Sequence, residues 1–369
     1  MAQGALVRER LCGDLQLPIT ALAWSADGEF LAIASAGGEL VLLDFPAGCE
    51  EVLQVDRQSS LDVLGFSGDG QFLMAAGQSG ELLLWELGGT GVRPLAIEPM
   101  PLGGGWIDSA SWQPGGLLLA VAVGRALRLW DGAIREWREL LLELPGTIQS
   151  LAWSADGVQL AASSNGQLVL WQPCLSTPAD PPLRNPIASA GLALAFYGPG
   201  HHLACGMLDR SLLVWPQGCH GQPWQFSGFP AKVRQLAWSD QPGRLAPLLA
   251  SAAAEAVILW TQVKQGAKAW QPEPLLWHEK RVQALAFAPG STLLASASSD
   301  GSVALWDGRG RLLQPLEGQG SGFNVLAWRP DGRHLAAGDA NGRWWLWPVA
   351  VPARERQGQR PGKGFRWHP

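Results

Sequence analysis

Short apolar runs alternate with tight polar turns along most of the chain, and residues 278–307 show this pattern most clearly. An apolar run at residues 282–287 meets a Pro-Gly turn, and a second run follows at residues 293–298. After a Ser-Asp-Gly turn, a third run ends at Trp306. Short runs bounded by Gly, Pro and Asp indicate strands, so the stretch predicts a three-stranded antiparallel sheet.

This predicted sheet has apolar side chains on both faces. Leu293 and Leu294 are consecutive, and consecutive side chains of a strand point to opposite faces. A sheet that is apolar on both faces needs a neighbour against each of them. We therefore expect that one copy cannot fold alone.

The same pattern occurs eight times along the chain. The first strand of each unit ends at an aromatic residue: Trp24, Phe66, Trp112, Trp153, Phe196, Trp238, Phe287 and Trp328. The third strand ends at Leu43, Trp85, Trp130, Trp171, Trp215, Trp260, Trp306 and Trp347. Intervals in the two series run from 41 to 49 residues. A four-stranded propeller blade has a period of about 40–45 residues, so the two series favour that architecture.

The unit resembles the repeat of the WD-repeat β-propeller family over roughly residues 5–348. The resemblance implies an all-β fold: a single eight-bladed propeller at residues 1–351, with a four-stranded antiparallel sheet in each blade. The repeat cores are expected near residues 19–45, 61–87, 107–132, 148–173, 191–217, 233–262, 282–308 and 323–349. Residues 352–369 form a basic tail that we expect to be disordered because it has little to bury.

The segments before the first unit and after the last unit indicate how the ring of units is closed. Residues 6–15 precede the first unit and have no blade of their own, whereas only the short segment 349–351 follows the last unit. In the family that the chain resembles, an N-terminal strand completes the last blade. The resemblance therefore implies that the N-terminal strand closes the ring.

The connectors between units are expected to hold the outermost strands, as at residues 92–97, 137–144 and 312–316. The connector after Trp171 contains five prolines, which cannot donate ladder hydrogen bonds. We expect its blade to have a frayed or missing fourth strand. The sixth unit has a longer spacing around residues 240–247, which predicts an enlarged hairpin loop.

The seventh unit carries a full set of the polar residues that form a structural network in the family. The resemblance assigns the network to His278, Ser298, Asp300 and Trp306. A Ser-His-Asp set also suggests a catalytic triad, but nothing in the sequence offers an oxyanion hole. We interpret the set as a buried hydrogen-bond network without a catalytic role.

One position of each unit lies, by resemblance, near the mouth of the central channel, where partners of the family dock. It follows the first apolar residue of the innermost strand. From this series we predict a partner-binding set of Asp62, Asp108, Gln149, Arg234, Gln283 and Asn324, while the remaining two positions are Thr20 and Leu192. The alternative is a hydrated rim without a specific role, because charged residues belong on surfaces anyway.

Composition and charge narrow the classes of function. The chain is 47% apolar and 16% charged, which supports a large core. The net charge is −5, but residues 352–369 carry +4, which leaves −9 for the rest. The propeller at residues 1–351 is acidic enough to repel nucleic acid over most of its surface, so we expect only the tail to bind polyanions.

Cysteine spacing and motif searches indicate no cofactor. The five cysteines are odd in number and form no C-x-x-C pair, so we expect reduced thiols. His201, His202, Cys205, Cys219 and His220 cluster in sequence but lack the spacing of a zinc site. No phosphate-loop, dinucleotide or nucleophile-elbow string occurs.

The chain lacks an apolar run of the ~18 residues that span a bilayer, and its first residues lack the apolar region of a secretory signal. We expect a soluble, cytoplasmic and monomeric protein that does not bind membranes.

The functional prediction is a non-catalytic scaffold that binds partner proteins at the propeller mouth and loops. Tryptophans in the connectors either anchor partners or cover blade edges: Trp106, Trp137, Trp224, Trp270 and Trp277. Two alternatives stay open: a small-ligand or metal-binding propeller that uses the central channel, and polyanion binding by the tail.

Overall fold

The computed structural model describes residues 6–7, 11–88, 91–95, 105–173, 181–198, 202–216, 221–241, 247–263 and 270–350. Regular structure in these residues is entirely β, with thirty strands. No helix among them is long and apolar enough to cross a membrane. The predicted enlarged loop of the sixth unit falls mostly, and the basic tail wholly, outside the described residues.

The strands follow the predicted units in order. A first strand, β1, spans Leu11–Asp14. Units one to three contain β2 (Ile19–Trp24), β3 (Phe30–Ser35), β4 (Leu40–Asp44), β5 (Cys49–Gln54), β6 (Leu61–Phe66), β7 (Phe72–Gly77), β8 (Leu82–Gly88), β9 (Gly91–Leu95), β10 (Ser109–Trp112), β11 (Leu118–Val123), β12 (Ala126–Asp131) and β13 (Glu136–Glu143). Units four and five contain β14 (Ser150–Trp153), β15 (Leu160–Trp171), β16 (Leu183–Tyr197), β17 (His202–Met207), β18 (Leu212–Pro216) and β19 (Trp224–Phe226). Units six to eight contain β20 (Gln235–Trp238), β21 (Leu248–Ala253), β22 (Ala256–Gln262), β23 (Trp270–Leu275), β24 (Val282–Phe287), β25 (Leu294–Ser298), β26 (Ser302–Trp306), β27 (Leu312–Glu317), β28 (Phe323–Trp328), β29 (His334–Asp339) and β30 (Arg343–Pro348).

Hydrogen bonding joins these strands into seven antiparallel sheets, of which six have four strands and one has six. The prediction of eight separate blades is therefore wrong, because the fourth and fifth units share the six-stranded sheet. The innermost strands β2, β6, β10, β14, β16, β20, β24 and β28 contact one another in that order, and β28 contacts β2. The fold is thus a closed β-propeller.

The shared sheet arises from two long strands. β15 pairs with β14 through residues 160–163 and with β16 through residues 167–170. β16 pairs with β15 through its first residues and with β17 from residue 191 onward. One unbroken strand thus serves as the outer strand of the fourth unit and the inner strand of the fifth. The prediction of a frayed or missing outer strand is wrong, since Pro186 lies opposite Gln167 within this ladder.

Other outer strands agree with the prediction. β9, β13 and β27 pair with the third strands of their units near the residues expected from the connectors. Closure by the N-terminal segment is also confirmed, because β1 pairs antiparallel with β30 and completes the sheet of the eighth unit.

The core lies between the faces of neighbouring sheets. Leu129 of β12 and Trp153 of β14 belong to one buried cluster, although they lie in the third and fourth units. Leu43 of β4 packs with Trp344 of β30 across the junction of the first and last units. Each sheet therefore buries apolar residues against both neighbours, as its two apolar faces require.

A repeated indole hydrogen bond adds a polar link between neighbouring units. The tryptophan that ends an innermost strand donates Nε1–H to the backbone carbonyl just before the aligned aromatic residue of the preceding unit. The donor and acceptor pairs are Trp112 to Gly65, Trp153 to Ser111, Trp238 to Ala195, Trp328 to Ala286 and Trp24 to Ala327. Units two, five and seven have phenylalanine at this position, which has no N–H to donate.

Candidate functional site

The eight predicted mouth residues occupy equivalent places at the entry of the innermost strands. Five of them are skipped by the ladder register, which marks a β-bulge: Thr20, Asp62, Leu192, Gln283 and Asn324. The other three, Asp108, Gln149 and Arg234, stand immediately before β10, β14 and β20. A bulge re-aims one side chain away from the sheet, so the sequence rule located a real structural position.

Two of these residues bond the innermost strands of neighbouring units to each other. The Thr20 hydroxyl donates to the Leu61 carbonyl over 2.5 Å. The Asn324 amide donates to the Ile19 carbonyl over 3.2 Å, across the junction of the last and first units. Both side chains are half-buried, so Asn324 has a structural role beside the partner-binding role predicted for it.

Four members of the predicted set are exposed: Asp62, Asp108, Gln149 and Arg234. Gln283 is half-buried, and its amide donates to the Ser299 hydroxyl over 3.0 Å. Asp62 accepts a hydrogen bond of 2.6 Å from the Ser60 hydroxyl. Partial burial and the neighbouring Asp62 carboxylate both raise the pKa of Asp108. The second cause shows that the two carboxylates are electrostatically coupled.

Strand directions alternate within each sheet, so the connections into the innermost strands share one side of the ring with the turns between second and third strands. We call this side the mouth face. Six large apolar side chains are exposed there in the described part of the chain: Leu17, Val55, Trp106, Leu208, Leu276 and Trp277. Trp106 is 62% exposed and lies two residues before Asp108, while Leu276 is 80% exposed.

The connector tryptophans therefore divide into two groups. Trp106 and Trp277 are exposed, as a partner anchor requires. Trp270 is 7% exposed, and Trp137 and Trp224 are half-buried against core clusters. The edge-covering interpretation holds for these three, and the anchor interpretation stays a prediction for Trp106 and Trp277.

Charge is distributed unevenly over the mouth face. The described residues of its first two units and of the entry to the third include five carboxylates and one arginine: Glu39, Asp56, Asp62, Glu81, Asp108 and Arg57. Loops of the fifth to seventh units carry five cations and three exposed carboxylates: Arg210, Lys232, Arg234, Lys280, Arg281, Asp209, Glu255 and Glu279. The order of the units in the sequence already predicts an acidic arc at Asp62 and Asp108 with Arg234 nearly opposite. The further carboxylates Glu39, Asp56 and Glu81 could be added only once it was known which turns share a face.

The polar network of the seventh unit is present with one different member. Trp306 Nε1 donates to Ser296 Oγ over 2.9 Å, and Ser296 Oγ lies 2.7 Å from His278 Nε2. His278 Nδ1 lies 3.1 Å from Asp300 Oδ2. The assignment of Ser298 as the network serine is wrong, because its hydroxyl instead bonds the Lys280 carbonyl and the Asp300 amide.

The environment fixes the protonation states of this network. Burial lowers the pKa of His278 against the opposing effect of Asp300, so the ring is neutral at pH 7. Burial alone raises the pKa of Asp300, but donation from Ser302 and from the Glu279 amide, together with His278, lowers it to about 2. A neutral ring that donates Nδ1–H to the carboxylate leaves Nε2 to accept from the Ser296 hydroxyl. Every member thus has a partner, and the His278 side chain is 0% exposed, so the network has no access for a substrate.

Half of this network recurs in the sixth unit. Trp260 Nε1 donates to Ser251 Oγ over 2.9 Å, as Trp306 does to Ser296. Phe229, at the histidine position, is buried and packs at 5.9 Å from the Trp260 ring. The serine lies 9 residues before the tryptophan in the sixth unit and 10 residues before it in the seventh, so no single spacing marks this bond in the sequence.

Among the described residues, no group of three or more His, Cys, Asp or Glu side chains could hold a metal ion. His202 begins β17 and packs near the rings of Tyr197, Trp224 and Trp238. His201, Cys219 and His220 lie outside the described residues.

Comparisons with known proteins agree with this architecture. A family model described as WD domain, G-beta repeat matches residues 138–172, 273–307 and 310–348. THO complex subunit 3 of Arabidopsis thaliana is 32% identical over 127 residues, which cover 31% of this chain and 36% of that protein. Nuclear distribution protein nudF of Aspergillus niger is 26% identical over 225 residues, covering 60% of this chain and 48% of that protein. The chain thus spans less than half the length of either relative.

A solved structure supports the fold over more of the chain. Sqt1 of Chaetomium thermophilum, bound to the N-terminus of the ribosomal protein L10, has a TM-score of 0.76 and is 16% identical. The likeness covers 90% of this chain and 97% of Sqt1. At this identity it shows the fold alone.

Proposed function

This chain belongs to the WD-repeat β-propeller family, and we propose that it is a non-catalytic scaffold that binds a partner protein on its mouth face. The observation that carries the proposal is the combination of exposed anchors and separated charge on that face. Trp106, at 62% exposed, lies two residues before Asp108, and Trp277 lies one residue before the buried His278. Exposed aromatic residues on a rigid support are typical of protein-binding surfaces.

The charges favour a partner segment of particular chemistry. Asp62 and Asp108 repel each other, which contributes to the raised pKa of Asp108. A basic group placed between them gains two attractive interactions and removes this repulsion. The partner segment is therefore basic where it contacts the first two units, and its acidic groups face Arg234.

The relatives offer one example of such binding. Sqt1 has been solved with the N-terminus of the ribosomal protein L10, so a propeller of this fold can bind a protein segment. At 16% sequence identity, the likeness to Sqt1 does not indicate which protein this chain binds.

The proposal can be tested by affinity capture from an extract of the native cell. The mouth variant combines Asp62→Arg, Asp108→Arg and Arg234→Glu. A matched control combines Glu136→Arg, Glu273→Arg and Arg333→Glu, three exposed residues away from the mouth face that give the same change in net charge. We expect partners captured by the wild type to be lost from the mouth variant and kept by the control.

Two outcomes contradict the proposal. Partners kept by the mouth variant place the interface elsewhere, and partners lost from both variants indicate a response to net charge. Cytoplasmic location, a monomeric state, a channel ligand and polyanion binding by the tail stay predictions.

A further inference from the structure

A groove lies between the first two units on the face opposite the mouth. Its volume is about 420 Å³, and it is lined by residues of β3, β4, β5, β8 and β9 and by the first turn of the second unit. Phe30, Leu42, Leu87 and Val92 contribute apolar surface. Its size and lining suit one or two aromatic side chains better than a large folded partner.

The groove is acidic as well as apolar. Asp44, Glu50 and Glu51 line it, and no lysine or arginine is among the described residues of its lining. Glu50 and Glu51 are exposed and lie on β5, the outermost strand of the first unit. An occupant of this groove should therefore combine aromatic rings with positive charge.

The chain itself contains such a segment. Residues 352–369 carry five Lys and Arg residues and one Glu, and Phe365 and Trp367 flank Arg366. The remaining residues are largely small, polar or proline and offer little that competes for the apolar surface.

The last described residues lie on the same face of the ring as the groove, at the junction of the seventh and eighth units, where Val349 N–H donates to the Arg333 carbonyl over 2.7 Å and Ala350 N–H donates to the Leu6 carbonyl over 3.0 Å. Pro348 pairs with His334 at the end of β30, and the His334 ring packs at 4.9 Å from Phe45. Phe45 directly follows Asp44 of the groove. The fifteen residues from Ala350 to Phe365 reach at most about 50 Å when extended. Packed sheets lie about 10 Å apart, so this length can cross the eighth and first units, which separate Ala350 from the groove.

We propose that residues 352–369 dock in cis into this groove. The rings of Phe365 and Trp367 cover the apolar surface, and the neighbouring cations face Asp44, Glu50 and Glu51. Docking withholds the basic tail from polyanions, so the groove regulates access to the tail. Because the groove and the mouth lie on opposite faces, this inference is independent of the proposed scaffold function.

Cys49 provides the readout, because its exposed thiol lines the groove. The full-length reduced protein is treated at low salt with a maleimide, and modification of each cysteine is followed by peptide mass spectrometry. The test variant is Phe365→Ser with Trp367→Ser, which removes both rings without a change of charge near the thiol. The control variant is Gln357→Ser with Gln359→Ser in the same tail.

If the tail is docked about four-fifths of the time, Cys49 of the wild type reacts about fivefold more slowly than Cys49 of the test variant, because only the open fraction reacts. The control variant should match the wild type. Cys12, exposed on β1, should react equally in all three proteins. Equal Cys49 rates in the wild type and the test variant would overturn the proposal.

Dilution separates docking in cis from docking of a tail from a second copy. Protection of Cys49 should persist over a 100-fold dilution, since an intramolecular contact does not depend on protein concentration. Protection that disappears on dilution overturns docking in cis.

Discussion

The indole Nε1 of Trp24 donates a 3.3 Å hydrogen bond to the carbonyl oxygen of Ala327, a residue 303 positions later in the chain. This bond repeats, across the junction of the chain ends, a link that also joins neighbouring units inside the ring, as from Trp328 to Ala286. Nearby, the Arg329 Nε donates to the Gly28 carbonyl over 2.8 Å and its guanidinium lies 4.8 Å from the Phe45 ring centre. The junction of first and last units is therefore closed by the same kind of bond as four of the other junctions.

Trp24→Phe removes this bond and keeps most of the aromatic packing. We expect it to lower the free energy of unfolding by about 0.5–1.5 kcal/mol, the usual net value of one hydrogen bond. Trp328→Phe removes the equivalent bond from an internal junction and should cost a similar amount. Urea unfolding of both variants measures the effect, and an unchanged midpoint for Trp24→Phe contradicts a role in closure.

A methyl group at Gly13 should disrupt the closing strand. Gly13 lies opposite Trp344 in the ladder between β1 and β30, and a Cβ atom there would sit 2.6 Å from atoms of the buried indole ring. We expect Gly13→Ala to lower the free energy of unfolding by about 1–3 kcal/mol, the usual cost of overpacking. The neighbouring Cys12→Ala, at an exposed position, should cost little. Equal melting temperatures for the two variants would show that β1 does not secure the ring.

Ser296→Ala tests which serine belongs to the polar network. It leaves the Trp306 Nε1–H and the His278 Nε2 without their partner in a buried site. Stranded buried groups cost about 1–3 kcal/mol, so the variant should unfold at lower denaturant concentration. Asp300→Ala is expected to combine with it less than additively, because the two residues act through the same histidine.

Ser298→Ala serves as the comparison for that prediction. Its hydroxyl bonds the Lys280 carbonyl and the Asp300 amide, so a moderate loss is expected. To distinguish the two serines, each serine variant is combined with Trp306→Phe, and the free energies of unfolding of the single and double variants are compared. Coupling to Trp306 should appear for Ser296→Ala and be absent for Ser298→Ala, and the reverse result would restore Ser298 to the network.

Acid should weaken the seventh unit through Asp300. Its pKa of about 2 lies below the ordinary 3.8, so between these values the unfolded chain binds more protons than the folded chain. The stabilisation is complete above pH 3.8 and is lost as the pH falls toward 2, a loss of about 2 kcal/mol. In Asp300→Asn this component of the acid response should disappear. Unfolding measured at intervals from pH 5 to pH 2 gives both curves, and parallel curves contradict the assignment.

The phase of the units could be predicted from the sequence because a large apolar residue, usually a tryptophan, lies within three residues of the end of each innermost and third strand. The sequence could not choose between Ser296 and Ser298, since residues two apart lie on the same face of a strand. Only the register, in which Ser296 lies opposite Ala304, decides which hydroxyl meets the Trp306 indole.

The six-stranded sheet shared by the fourth and fifth units could not be predicted from the sequence either. Prolines at residues 178–186 predicted a frayed or missing outer strand in the fourth unit. In the structure Pro186 lies opposite Gln167 in the ladder between β15 and β16, and β16 continues into the fifth unit. Five of the predicted mouth positions are bulge residues and three directly precede their strands, so they share a place in the units, while partner binding at them stays a prediction. Their bonds to neighbouring units, as from Asn324 to Ile19, depend on contacts between residues 305 positions apart.

Asp108→Asn should stabilise the protein at neutral pH. Partial burial and Asp62 raise the pKa of Asp108, so the folded chain keeps its proton to higher pH than the unfolded chain. Ionisation therefore destabilises the fold as the pH rises through the window between 3.8 and the raised pKa. Above that window the amide should raise the free energy of unfolding by up to about 1 kcal/mol, and the gain should vanish near pH 3.

The same substitution should weaken capture of the partner, because it removes one of the two charges that attract a basic segment. Asp62→Asn relieves the repulsion but leaves Asp108 partly buried, so it should give a smaller gain in stability and a similar loss of capture. Stability is measured by urea unfolding at pH 7 and pH 3, and capture is measured from the native extract. Lower stability at pH 7 would contradict the electrostatic argument. Unchanged capture would move the basic segment away from Asp108. A gain in stability together with a loss of binding would show that Asp108 destabilises the fold at a position where its charge serves recognition.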